Sequence, residues 1–203
     1  MTLTTAKRFS LDEYHRLADI GFLSEDDRVE LIRGEIFQMA AKSTSHTTCC
    51  GNLLEQLAIL VVGRASLQCQ DPIVLPSGSE PEPDFVIVRK RDDNYLSAHP
   101  NPSDVLLLVE IADSSLKFDQ EIKLPLYAEA GIPYYWLFNL VDNHLEAYSE
   151  PYQELPGNFG YSMKRIILPN GAEPCGGFRI ALPCFPEKSL DLSKVFPIIT
   201  PEI

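Results

Sequence analysis

Val105-Leu-Leu-Leu-Val109 is an unbroken apolar run, followed at once by Glu110 and Ile111. A strand apolar at every position must be covered on both faces, as in a sheet with helices above and below it. The segments around it fit that demand. Ser10-Leu11-Asp12-Glu13 has the form of a capping box, and Leu11, Tyr14, Leu17 and Ala18 follow at helical spacing up to Gly21. Arg28–Met39 alternates apolar and polar residues on both sides of Arg33-Gly34, which predicts a β-hairpin. A longer helix is expected from near Ser45 to Arg64, with Leu53, Leu57, Leu60 and Val61 as its apolar stripe.

Further strands are predicted at about Leu67–Val74 and Asp84–Val88. A helix from about Asp119 to Ala130 should end at Gly131 and kink or restart at Pro125, which has no N–H. Tyr134–Val141 and His144–Ser149 read as a hairpin around Asp142-Asn143, and edge strands are expected near Met163–Leu168 and Phe178–Leu182. This order predicts an α/β fold with a central mixed β-sheet flanked by helices, preceded by an N-terminal helix and β-hairpin. At ~150 residues per domain, the 203 residues suggest one domain, with a core over about 8–150 and edge strands and tail over 151–203.

The charge balance, 17 basic against 29 acidic residues, gives −12. A DNA coat protein, whose affinity comes from neutralising phosphates, is therefore excluded; an enzyme that touches nucleic acid locally is not. No apolar run approaches the ~18 residues of a membrane helix, so no membrane association is expected. The first residues carry no apolar core of a signal peptide. The five cysteines (Cys49, Cys50, Cys69, Cys175, Cys184) include no C-x-x-C pair and read as small buried thiols. A cytoplasmic protein is expected.

Two acids stand out. Asp84 follows Pro83 and opens a strand; Glu110 closes the most apolar strand in the chain. On neighbouring strands their carboxylates could lie ~4 Å apart, with a repulsion of ~4 kcal/mol at an effective dielectric of ~20. Such a pair calls for a proton, a lysine or arginine, or a hard cation such as Mg²⁺ or Mn²⁺.

Glu80-Pro-Glu-Pro-Asp84 followed by Val105–Ile111 resembles the PD-(D/E)XK nuclease superfamily. Val109–Phe138 (VEIADSSLKFDQEIKLPLYAEAGIPYYWLF) more closely resembles the Uma-type putative restriction endonuclease family within it, and Glu30–Met39 (ELIRGEIFQM) with His46 resembles that family's N-terminal signature. The resemblance implies a restriction-endonuclease-like fold and a metal-dependent DNA hydrolase. By the same resemblance, Asp84, Glu110 and the backbone carbonyl of Ile111 would hold Mg²⁺ or Mn²⁺.

The superfamily carries a lysine two residues after the second acid, where this chain has Ala112. The closer family resemblance moves that lysine to Lys123, with Lys117 as the fallback. Asp119, four residues before Lys123, would share its helix face. Glu35, through water, and Glu30 and His46 are accessory candidates. The expected activity is endonucleolytic hydrolysis of DNA phosphodiesters, and two cuts on a duplex would favour a homodimer. The alternative, motivated by the acidic balance and by Ala112, is a catalytically inactive nuclease-like scaffold acting as a binding or assembly module.

Overall fold

A computed structural model describes residues 5–169 and 178–197. Helix α1 (Leu11–Asp19) starts at the predicted capping box, with Ser10 and Glu13 each accepting the other's backbone N–H. The hairpin of β1 (Val29–Ile32) and β2 (Glu35–Gln38) pairs Glu30 with Phe37. Its turn holds Gly34 at φ 80°, and a Cβ there would stand 2.7 Å from Arg8 Cβ, so only glycine fits. Helix α2 (Thr44–Val61) follows, with the Ser43 hydroxyl accepting the His46 N–H as its cap.

The main sheet has six strands in the order β3 (Ala65–Cys69), β4 (Phe85–Arg89), β5 (Val105–Ala112), β6 (Tyr134–Asn139), β7 (His144–Leu155) and β8 (Asn158–Ile167). β3 is shorter than the predicted Leu67–Val74, because Gln70 turns to φ 57° and leaves the ladder. β5 and β6 run parallel and every other neighbouring pair antiparallel. A parallel pair needs a crossover. Here it is α3 (Leu116–Phe118), a π-helical turn (Asp119–Lys123) and α4 (Leu124–Glu129). The single helix expected from Asp119 is thus interrupted. Pro125 offers no N–H, and the Leu124 N–H reaches back five residues to the Asp119 carbonyl.

Alternate residues of the sheet feed two cores. Phe85, Ile87, Leu107, Val109, Trp136 and Phe138 pack with Cys49, Leu53, Leu57 and Val61 of α2. Val86, Val88, Leu108, Tyr135 and Leu137 pack with Leu126 and Tyr127 of α4. The pair β9 (Arg179–Leu182) and β10 (Phe185–Asp191) forms its own two-stranded sheet and sends Ile180, Leu182 and Leu190 into the α2-side core. The edge strand expected at Met163–Leu168 is the second half of the ten-residue β8; Phe178–Leu182 corresponds to β9, outside the main sheet.

Of the cysteines, Cys49 is buried and Cys50, Cys69 and Cys184 are half-buried, all four as free thiols; Cys175 lies outside the described residues. Among the described residues no helix is long and apolar enough to cross a membrane.

Candidate active site

The register that sets Phe85 opposite Val109 sets the preceding residue, Asp84, opposite the following one, Glu110. By strand alternation both side chains share the face of Val86 and Leu108, the face covered by the crossover. The Asp84 N–H donates to Glu110 Oε2 at 3.2 Å. The Ile111 N–H donates to Asp84 Oδ2 at 2.9 Å. One more step of register puts Pro83 opposite Ile111, and proline has no N–H to give the Ile111 carbonyl.

Lys123 completes the group from the π turn. Its Nζ lies 3.0 Å from Glu110 Oε1 and 3.1 Å from Glu30 Oε2. The Tyr127 hydroxyl donates to Glu110 Oε1 at 2.7 Å, and the Glu82 N–H to Glu30 Oε2 at 3.2 Å. His46, in the first turn of α2, reaches Asp84 Oδ2 from the other side through Nε2 at 3.2 Å. Asp119 accepts from the Ser115 hydroxyl at 2.6 Å. The side chains of Glu30, His46, Asp84, Glu110, Asp119 and Lys123 line one cavity of about 270 Å³.

Most of the predicted residues therefore meet: Asp84, Glu110, Lys123, His46, Glu30 and Asp119. Two do not. Glu35 sits at the turn end of the hairpin, half-exposed and paired with Arg8 at 2.8 Å, so of the hairpin's two acids it is Glu30 that enters the site. Lys117 is exposed, with Glu121 at 3.9 Å, because it leaves the crossover on the solvent side. Nor do Asp119 and Lys123 form the ion pair their spacing suggested. The π turn aims Lys123 at the two glutamates, and among the described residues Asp119 has no ion-pair partner within 4.0 Å.

The family model described as "Putative restriction endonuclease" (Uma2) matches residues 11–173. The chain belongs to that family. The crystal structure of a "putative nuclease belonging to DUF820" from Anabaena variabilis superposes with a TM-score of 0.66 at 15% identity. The match covers 93% of this chain and 97% of that one, and so shows a shared nuclease-like fold. No curated protein matches the sequence.

For this Uma2-family member the electrostatics of the site follow from burial. Glu30, Asp84, Glu110 and Asp119 are each at most 8% exposed, and Lys123 and His46 are the buried side chains of opposite charge beside them. Burial pushes the Glu110 carboxyl up to about 8, against the pull of Lys123, and the Asp119 carboxyl up to about 6. Burial also works against the Lys123 charge, but Glu110, Glu30 and Asp119 outweigh it and hold the ammonium above its ordinary range. Asp84 stays below the usual carboxylate range despite burial, because His46 and the Ile111 N–H favour its charged form. His46 is raised in turn: burial disfavours its charge, and Asp84 more than compensates.

Burial makes Glu110 and Asp119 hold their protons more tightly than usual, and a divalent cation beside them would favour their ionised form. The donors are hard oxygens, as Mg²⁺ and Mn²⁺ prefer. Among the described residues no three acidic, histidine or cysteine side chains are grouped so as to hold a metal ion by themselves. Two carboxylates and a carbonyl leave the remaining positions to water, which Mg²⁺ retains. The residues fit the ion.

Tyr127 escaped sequence reasoning. It lies four residues after Lys123, and helical spacing from that lysine would have found it.

Proposed function

We propose that this protein is a Mg²⁺-dependent endonuclease that hydrolyses DNA phosphodiester bonds. The observation that carries the reading is the placement of Lys123 within 3.1 Å of both Glu110 and Glu30, beside the Asp84–Glu110 pair. An inactive scaffold gains nothing from a buried ammonium held among carboxylates, since isosteric apolar packing there is often as stable or more so.

Asp84, Glu110 and the Ile111 carbonyl would hold the cation. Mg²⁺ there supplies Lewis acidity and a lowered pKa for water, as phosphodiester hydrolysis near neutral pH requires. Lys123 orients the attacking water and faces the oxygens on which charge builds. Glu30 and Tyr127 fix the reach of Lys123 and the orientation of Glu110. His46 keeps Asp84 ionised and its carboxylate turned into the site. The recessed position of these groups excludes bulk water and strengthens each interaction.

Single-turnover cleavage of DNA in Mg²⁺ tests the reading. Asp84→Ala should abolish cleavage, and equal rates for variant and wild type would end the proposal.

A further inference from the structure

The cavity is not lined by the reacting groups alone. Phe37 of β2 and Phe118 at the end of α3 line it, both half-buried, with ring centroids 5.2 Å apart and planes inclined at 54°. The two rings come from separate elements, pack against the α4-side core and line the cavity that holds the carboxylates. Arg28 and Lys42 line the same cavity, and neither enters an ion pair among the described residues. An aromatic pair, two cations outside any ion pair among the described residues (Lys42 Nζ donates to the Gln70 side-chain oxygen) and the proposed phosphodiester-cleaving centre therefore share a single recess.

In an intact duplex every base face is covered by its neighbours, so an aromatic side chain can stack only on a base that has left the stack. A recess of about 270 Å³ is near the small end of ligand pockets, ~300–1,000 Å³, and suits one nucleotide unit rather than a helix. The chain's charge of −12 also works against docking on the phosphate rails of a duplex. Aromatic stacking with a few local cations is how single strands are held without a broad basic surface.

We infer that the site acts on unstacked DNA, with Phe37 and Phe118 as the platform for a base and Arg28 and Lys42 beside the flanking phosphates. The inference rests on the nuclease reading for the chemistry and on the cavity alone for the choice of substrate. A single strand and an unpaired segment within a duplex present the same chemistry.

Three fluorescent DNA probes separate the cases: a single strand, a blunt duplex of the same sequence, and that duplex with a central unpaired bubble. Binding is measured by anisotropy in Ca²⁺, and cleavage in Mg²⁺. Single strand and bubble should bind at least tenfold more tightly than the blunt duplex, and single strand alone if a free strand is required. Phe37→Leu with Phe118→Leu keeps apolar bulk but removes the π faces. It should weaken single-strand binding about 5- to 150-fold, while calorimetric Mn²⁺ binding persists as the sign of an intact fold. Equal binding of the duplex, or wild-type single-strand binding by the double variant, would overturn the inference. Cleavage confined to the blunt duplex would overturn it and leave the nuclease reading standing. Absent cleavage of all three probes would count against that reading, and the binding arm would still decide this one.

Discussion

Gln120 Nε2 donates to both carboxylate oxygens of Glu146, at 3.0 and 3.2 Å, and so ties the π turn to strand β7. Glu146 is buried and also accepts from Asn139, His144 and Tyr148, with Lys164 at 2.9 Å. The turn that carries Lys123 is thus pinned from behind by a carboxylate whose own partners are all in place.

Gln120→Ala cuts that tie without touching the acids or the lysine. Cleavage in Mg²⁺ should fall by ~10–100-fold, the usual effect of losing an outer-shell partner. Stability should drop by only about 1 kcal/mol. Single-turnover rates beside denaturant unfolding check this; a stability loss with an unchanged rate would remove the positioning role.

Lys123→Met removes the one ammonium from among Glu30, Glu110 and Asp119. The cleavage rate should fall by ~10²–10³-fold, as when a single stabilising donor to the reacting oxygens is lost. Calorimetric Mn²⁺ binding should survive, because the oxygen donors remain. Loss of both together would mean that the lysine serves to hold the carboxylates apart rather than to act on the phosphate.

Glu110 and Asp119 make the metal-free protein sensitive to pH. Their folded values, about 8 and about 6, lie above the ordinary 4.5 and 3.8. A group that holds its proton more tightly when folded stabilises the fold below its unfolded value, and that contribution is lost as pH rises through the folded value. Unfolding free energy in a chelator should therefore fall from about pH 4 to pH 8, by on the order of a few kcal/mol. Glu110→Gln should flatten the portion between pH 6 and 8. A profile unaffected by that substitution would place the titration elsewhere.

Gly34→Ala tests the hairpin. The turn has φ 80°, and an added Cβ would lie 2.7 Å from Arg8 Cβ and 2.9 Å from the Phe9 carbonyl oxygen. The backbone penalty alone is ~1–2 kcal/mol, and the clash adds to it. The urea midpoint should shift down accordingly; an unchanged midpoint would mean that the N-terminal segment yields freely.

The acids of the site were legible because they broke a local rule. A carboxylate at the end of a covered strand, as at Asp84 and Glu110, needs a partner, and that need is visible in one dimension. Lys123 was legible only through family resemblance, since Asp119 four residues earlier offered a sufficient surface explanation. Glu30 and Glu35 stayed unresolved because the hairpin docks on the rest of the chain through long-range contacts, such as the isolated β-bridge of Leu31 to Glu80 and the Arg33 N–H to Ser79, which nothing in the hairpin's own pattern predicts. Phe37 and Phe118 gave no signal at all: each looks like an ordinary core residue until the crossover brings them together. The π turn was half-legible, as a disturbance expected at Pro125, but its direction depends on Glu146 far along the chain.

The parallel pairing of β5 with β6 has a consequence for how a site of this kind is recognised. Because the chain must return over one face of the sheet, a residue on the inner side of the returning segment, as Lys123 is and Lys117 is not, can deliver its tip to the strand-end acids. A search keyed to a lysine two places after the second acid would pass over this chain, whereas one keyed to the location of the charge would find it.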